Sequence, residues 1–353
     1  MTAAASTREP SVVVVVPAHR ASEELDRCLE ALACCDPAPD ELVVVVDGAD
    51  PATVAAAEAR AGRVVGLERA GGPARARNAG VADSDAEVVF FVDSDVVVPP
   101  DVVGRLRDTF GSRPELDAVI GSYDDEPPAP GVTSQYKNLL NHHVHQTADV
   151  RGSTFWGACG AVRRAAFEAV GGFDERYSRP CIEDIELGAR LTEAGHRIEV
   201  LKELQVTHLK RWTPASMVRA DVFDRAVPWS ELIVGGLGFT DDLNVSRRQR
   251  FKAVTACVGV VALLGARWRL GRGATLASLF ALTLMDRSLL GFFARKRGPA
   301  FAVGAAGWHW ASYLYSSAAF GAVWLRRFLG GRRLERGATV PTSSAAAPSG
   351  SPA

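Results

Sequence analysis

Three uninterrupted apolar runs, Val12 to Val16, Leu42 to Val46 and Val88 to Val92, constrain the fold of this chain more than any other feature. A strand with one wet face alternates apolar and polar residues, whereas a strand covered on both sides reads as a continuous run. Between and after the runs lie stretches of helical character. Leu25, Leu29 and Leu32 share one face of Glu23 to Leu32, Pro51 to Arg60 is Ala-rich, and Asp101 to Phe110 resumes a helical period. Val64 to Leu67 and Ala118 to Gly121 add short strands. Strands alternating with helices predict an α/β fold: a Rossmann-like, mostly parallel sheet with helices on both faces. In such sheets ligands collect beyond the carboxyl ends of the strands.

Those ends carry the polar residues. Pro17 and Ala18 close the first run, Asp47 the second, and Asp93-Ser94-Asp95 follows the run that ends at Val92. Two carboxylates two residues apart suit a hard divalent cation, which takes one or two carboxylates and keeps positions for phosphate oxygens. Gly71 and Gly72 let the backbone approach a ligand closely, with Arg75, Arg77 and Asn78 just beyond. Glu183 and Asp184 open a helix in which Ile182, Ile185 and Ala189 share a face. Adjacent acids raise one another's pKa, which suits a general base. His208-Leu209-Lys210-Arg211-Trp212 follows the strand-like Gln205 to Thr207. His142-His143-Val144-His145 has no matching ligand cluster for zinc. With Tyr136, Lys137 and Asn138 it is expected to line the acceptor side or to pack beneath a lid.

In this order, Val-Pro-Ala, Asp47, Gly-Gly-Pro-Ala-Arg-Ala-Arg-Asn-Ala-Gly, Asp-Ser-Asp, Trp156-Gly157-Ala158, Gly171-Gly172-Phe173-Asp174-Glu175 and Glu183-Asp184-Ile185-Glu186-Leu187, the chain resembles a family 2 glycosyltransferase. That is an inverting enzyme with the GT-A fold, and the resemblance covers roughly residues 11 to 235. It implies a nucleotide-sugar site of Pro17, Ala18, Asp47, Arg77, Asn78, Asp93 and Ser94, with Asp47 accepting the imino hydrogen of a uracil or similar base. It implies Mg²⁺ or Mn²⁺ on Asp95 and Asp93, with His208 as a further ligand. It places the catalytic base in Glu183-Asp184, and Asp184 is the expected base. Trp156, Gly157, Arg211 and Trp212 are expected on the acceptor and sugar side. One departure stands out, since many relatives have Asp-Asp-Gly-Ser where this chain has Asp47-Gly48-Ala49-Asp50.

Charge divides the chain. The formal net charge is -1, yet residues 245 to 336 carry a balance of +14 and the remainder -15. Within that basic part Ala253 to Ala266, Gly273 to Ala294 and Gly298 to Leu325 are apolar, bracketed by arginines. Two or three C-terminal membrane helices are expected over 246-330, of which only the last is long and apolar enough to span clearly. The expected domains are a disordered N-terminus at 1-10, a GT-A domain at 11-245, these helices, and a disordered tail at 331-353. The Pro- and Gly-rich stretch Asp124 to Gly131 is a loop and a candidate lid. Six cysteines without C-x-x-C spacing point to a reducing compartment, and no cleaved signal peptide is apparent.

The expected function is therefore transfer of a sugar from a nucleotide diphosphate sugar, UDP-sugar by default, to a lipid-linked or saccharide acceptor. It would take place at the cytoplasmic face of a membrane, with no nucleic-acid partner. A nucleotidyltransferase and a non-catalytic nucleotide-binding scaffold are the alternatives.

Overall fold

The computed structural model describes residues 9-237, 247-265 and 269-329. The predicted alternation of strand and helix is present. In chain order β1 (Val12–Ala18), α1 (Glu23–Ala33), β2 (Glu41–Asp47), α2 (Pro51–Glu58), β3 (Arg63–Leu67), α3 (Pro73–Ala82) and β4 (Val88–Val92) form the first half. They are followed by β5 (Val96–Val97), α4 (Val102–Ser112), β6 (Ala118–Tyr123), α5 (Val132–Thr147), β7 (Arg151–Gly152), β8 (Cys159–Arg163), α6 (Arg164–Ala169), α7 (Glu183–Glu193) and β9 (Ile198–His208). The strands lie in the order β3-β2-β1-β4-β8-β6-β9-β5, with β7 also on β9.

The continuous runs behave as their burial demands. Val12, Val14 and Val16 of β1, with Val44, Val46, Phe90 and Val92, pack under α1 and α4 through Leu25, Leu29, Leu106 and Phe110. Val13, Val15, Val43, Val45, Val89 and Phe91 point the other way, onto Ala74, Ala76, Phe167, Leu187 and Leu191. Successive side chains leave a strand on opposite faces, so both sets are apolar because both faces are covered.

The sheet is mixed rather than mostly parallel. β1, β2, β3 and β4 run parallel, as do β6 and β9, but β8 enters antiparallel between β4 and β6, and β5 and β7 pair antiparallel with β9. The expectation failed because β8 is short and opens directly after the Trp156-Gly157-Ala158 segment, where nothing local sets strand direction. A register shift between Ile120 and Ser122 lets β9 advance against β6 and carries its end to His208.

Beyond β9 come α8 (Pro214–Arg219), a π-helical turn at Ala220–Ala226, α9 (Val227–Leu232) and a second π-helical turn at Ile233–Leu237. Then follow α10 (Arg247–Leu264), α11 (Arg269–Met285), α12 (Arg287–Arg297) and α13 (Pro299–Leu329). No single described helix is long and apolar enough to cross a membrane; α11 and α12 pass together but are bent by 69°. The expected single span at Gly298 to Leu325 is therefore corrected. α13 has the length, but its buried face carries His309 and Tyr313, and Gly, Ser and Ala dilute the rest. The Asp124 to Gly131 loop is irregular as expected but is not a free lid. Asp125 and Glu126 pair with Lys296, and Gln135 donates to the carbonyls of Pro127 and Ala129. Of the expected disordered termini, residues 1-8 and 330-353 lie outside the described residues, while Pro10 is buried.

Candidate active site

β5 and β9 pair in a register that sets Val96 opposite His208. That pairing brings Asp95, one residue before β5, beside His208, and Leu209 N–H donates to the Asp95 carbonyl at 2.8 Å. Asp95 Oδ2 and His208 Nε2 face each other at 3.4 Å, and the imidazole stacks flat on Tyr123 at 4.3 Å. Burial by itself would raise Asp95, but the hydrogen bond to His208, the charge of His208 and then that of Lys210 hold it below the usual carboxylate range. One carboxylate oxygen and one imidazole nitrogen converge here, with Asp95 still partly open to solvent. This donor set fits a divalent cation that takes its remaining ligands from phosphate oxygens and water. Among the described residues no group of three His, Cys, Asp or Glu side chains forms a closed cation site.

The second acidic cluster is joined to the first by one guanidinium. Arg77, buried on α3, donates from Nη2 to Asp93 Oδ1 at 2.7 Å and from Nη1 to Glu183 Oε1 at 2.9 Å. Asp93 follows β4 and Glu183 begins α7, so this bridge fastens the metal-type motif to the base-type motif across the sheet ends. Gly157 makes room for it, since a Cβ there would lie 2.8 Å from Arg77 Cζ. Glu183 is fully engaged, its other oxygen accepting from Cys181 N–H at 2.8 Å. Asp184 differs. Its oxygens accept only from the backbone, Oδ1 from Ile185 N–H at 2.8 Å and Oδ2 from Gly157 N–H at 3.0 Å. Burial first, and then the Glu183 charge, push it up to about 7, with Arg77 pulling the other way. A carboxylate poised there can hold a proton and release it near neutral pH.

Several expected ligand contacts are spent inside the protein. Arg77 and Asn78 were expected at the nucleotide; Arg77 is the bridge just described, and the Asn78 amide donates to Phe173 O and accepts from Phe173 N–H, both at 2.9 Å. Asn78 thereby pins the Gly171 to Glu175 segment to α3. Asp47 holds the loop after β3, accepting from Gly71 N–H at 2.7 Å and Gly72 N–H at 2.8 Å. Each of its oxygens keeps a second lone pair. Gly72 must be glycine, with φ +88° and the Ser178 carbonyl carbon 2.5 Å from where a Cβ would stand. Pro17 and Ala18 end β1 beside this loop, and Ser94 is half-buried between the two acids. Trp212, expected on the acceptor side, is buried with Tyr136, Leu139, Met217 and Phe293, and Lys210 lies over its ring at 4.7 Å. It was misplaced because a Trp after a basic pair looks the same on a surface as in a core. Arg211 is exposed, and the half-buried Trp156 packs edge-on to Tyr123 and His145.

The α5 residues Asn138, His142 and His145, expected to line the acceptor side or to pack beneath a lid, back the cation-type site instead, and Ser134 of the same helix was missed from sequence. Ser134 bonds the Trp212 backbone, Asn138 Oδ1 lies 2.6 Å from His208 Nδ1, His142 Nδ1 lies 2.7 Å from Tyr123 O, and His145 meets Trp156. Their spacing of three to four residues makes a polar stripe on one helix face, which was the available signal.

Residues 13–171 match the model of Glycosyl transferase family 2, and residues 141–212 that of the N-terminal domain of galactosyltransferase. The chain is 25% identical over 246 residues to an O-antigen chain rhamnosyltransferase of Salmonella typhimurium, covering 64% of this chain and 76% of the relative. It is 48% identical over 54 residues to an N-acetylglucosaminyl-diphospho-decaprenol L-rhamnosyltransferase of Mycobacterium tuberculosis, a match to 15% of this chain and only 17% of that one. A mannosyltransferase of Pyrobaculum calidifontis, solved with GDP-Man and Mn²⁺, superposes with a TM-score of 0.56 at 20% identity, covering 85% of this chain and 87% of the other. That last likeness establishes the shared fold.

Proposed function

We propose that this chain, which belongs to the family 2 glycosyltransferases, moves a sugar from a nucleotide diphosphate sugar to a lipid-linked or saccharide acceptor in polysaccharide assembly, with inversion and with Asp184 as base. The observation that carries the reading is the Arg77 bridge, which sets Asp93 and Glu183 on one guanidinium and so puts the acidic pair after β4 and Asp184 around the same cleft. A single displacement inverts the anomeric carbon. The acceptor oxygen forms its bond to that carbon as the bond to the diphosphate oxygen breaks, and the acceptor proton passes to Asp184.

Asp95 and His208 would hold Mg²⁺ or Mn²⁺, which when bound neutralises charge on the departing nucleoside diphosphate. Asp93 has one oxygen committed to Arg77. Asp47, with its spare lone pairs, and the Gly71-Gly72 turn it organises would receive the nucleobase. Nucleotidyl transfer would leave Asp184 without a task, and a non-catalytic scaffold would have no use for a carboxyl held near neutrality.

The helices from Arg247 onward support a membrane-surface anchor. Leu264, Leu270, Phe280 and Val303 are each more than 70% exposed, beside arginines at both ends of the helices. Such a patch suits the headgroup boundary of an anionic leaflet. Six free cysteines suit a cytoplasmic location for the catalytic domain. A panel of nucleotide sugars offered to the purified protein with membrane lipid extract, with Mn²⁺ or with EDTA, tests the reading. One donor should be consumed, with release of nucleoside diphosphate only when metal is present. Pyrophosphate release, or donor use untouched by EDTA, would overturn it.

A further inference from the structure

We propose that Asn138 is a positioning residue for the cation site, fixing the His208 ring so that Nε2, and not Nδ1, faces the metal; the proposal rests on the reading of Asp95 and His208 given above. Asn138 Oδ1 lies 2.6 Å from His208 Nδ1, shorter than the 3.4 Å from Nε2 to Asp95 Oδ2. Both residues are almost fully enclosed, at 1% and 6% exposure. An amide oxygen only accepts, so Nδ1 is protonated and Nε2 is turned toward Asp95. The flat stack on Tyr123 is compatible with two ring orientations related by a half-turn about Cβ–Cγ, and the Asn138 contact to Nδ1 selects one of them.

Among the described residues no partner reaches Asn138 Nδ2, a buried donor. Reversing the amide would exchange one orphan for another, leaving Oδ1 without a donor and turning the Nε2 proton into the cation site. The orientation with Oδ1 on Nδ1 is the one that serves a metal, because Asn138 keeps the Nδ1 proton in place and the Nε2 proton shared with Asp95 is the one an incoming ion would displace. Outer contacts of this kind set the tautomer and basicity of a ligating imidazole, and their loss typically weakens metal affinity about 10- to 100-fold.

α5 gives Asn138 a second connection. Asn138 and His145 look toward the site, Tyr136 meets His309 and Phe293, and His142, besides its bond with Tyr123 O, stacks with His143 on Phe292. The helix that orients His208 is therefore braced by α12 and α13.

The test is Mn²⁺ affinity in the presence of nucleoside diphosphate, together with the nitrogen coupling that a bound imidazole imprints on the Mn²⁺ spin-echo spectrum. The full-length protein is compared with Asn138→Leu, Asn138→Ala, Asn138→Asp and His208→Ala. Asn138→Leu and Asn138→Ala both remove the acceptor at different volume, so failure of one to fold leaves the other. The folded variant should bind Mn²⁺ about 10- to 100-fold more weakly with reduced nitrogen coupling. Asn138→Asp, which keeps an acceptor, should bind at least as well as the parent. His208→Ala should lose the coupling. If His208→Ala weakens Mn²⁺ but the acceptor-less variants do not, the role of Asn138 is overturned while the cation site stands. If His208→Ala changes neither quantity, both fall.

Discussion

The catalytic domain and the C-terminal helices bury charge in opposite settings. In the first, the central residues of β1, β2 and β4 are apolar, and polar groups gather where these strands end. Two of its buried charges, Arg77 and Glu183, sit at that rim. In the second, a polar cluster lies inside beside apolar ones: Asp286, 1% exposed, meets Lys252 Nζ at 2.6 Å and accepts from Trp310 Nε1 at 3.1 Å, with His309 and Tyr313 alongside. The outside is apolar, with Leu270 at 89% exposure and Leu264 at 82%. Ion pairs hold shape in both places, since removing one partner of a buried pair strands the other. The surroundings differ, however. A sheet core excludes water by packing, whereas helices with apolar exteriors suit a surface other than bulk water, the physical basis for the proposed membrane anchor.

The sharpest way to break the comparison is at the rim. Asp184→Asn should lower transfer kcat/KM by about 10²- to 10⁴-fold with the fold unchanged by circular dichroism, the loss expected for a missing general base. A variant with normal turnover would remove Asp184 from the mechanism. Next, Arg77→Met should cost about 3–5 kcal/mol in denaturant unfolding, because Glu183 is left buried and unpaired, and should impair transfer as well. Charging the outward face of the helices should do the converse. Leu264→Glu, Leu270→Glu and Phe280→Glu together should weaken binding to anionic vesicles by at least about tenfold, on a scale of about 1.5–3 kcal/mol for each large apolar side chain withdrawn from an apolar phase. Soluble-donor turnover should stay unchanged, and equal vesicle binding by parent and triple variant would remove the membrane reading.

The smallest effect is graded with pH. Asp184 acts as base only when ionised and is pushed up to about 7, so kcat/KM should rise about tenfold per pH unit below 7 and level off above. The stability sign is opposite. The native carboxyl keeps a proton that the unfolded chain has lost, so the contribution of Asp184 to stability falls as pH rises from the ordinary 3.8 toward 7.

Much of the rim was legible because its residues are tied to strand ends. Apolar runs locate strands, and the first polar residue after a run must lie at the carboxyl end, so Asp47, Asp93 and Asp95 were placed by short-range pattern alone. Contacts that depend on which strand neighbours which were not legible. Arg77 resembles a ligand-binding arginine as well as a bridge, and its partners are supplied by β4 and α7. Trp212 became core because α5 and α12 cover it.

What the residue order determined by itself was local: continuous apolar runs that need cover on both faces, glycines at a tight turn, acids at strand and helix ends, and a basic, apolar C-terminal part. Only the tertiary structure decided that β8 enters antiparallel, that β9 advances far enough to set His208 beside Asp95, and that Asn138 reaches that histidine from α5. Strand direction, register and helix docking are settled by the global packing of side chains distant in sequence, and no local pattern encodes them.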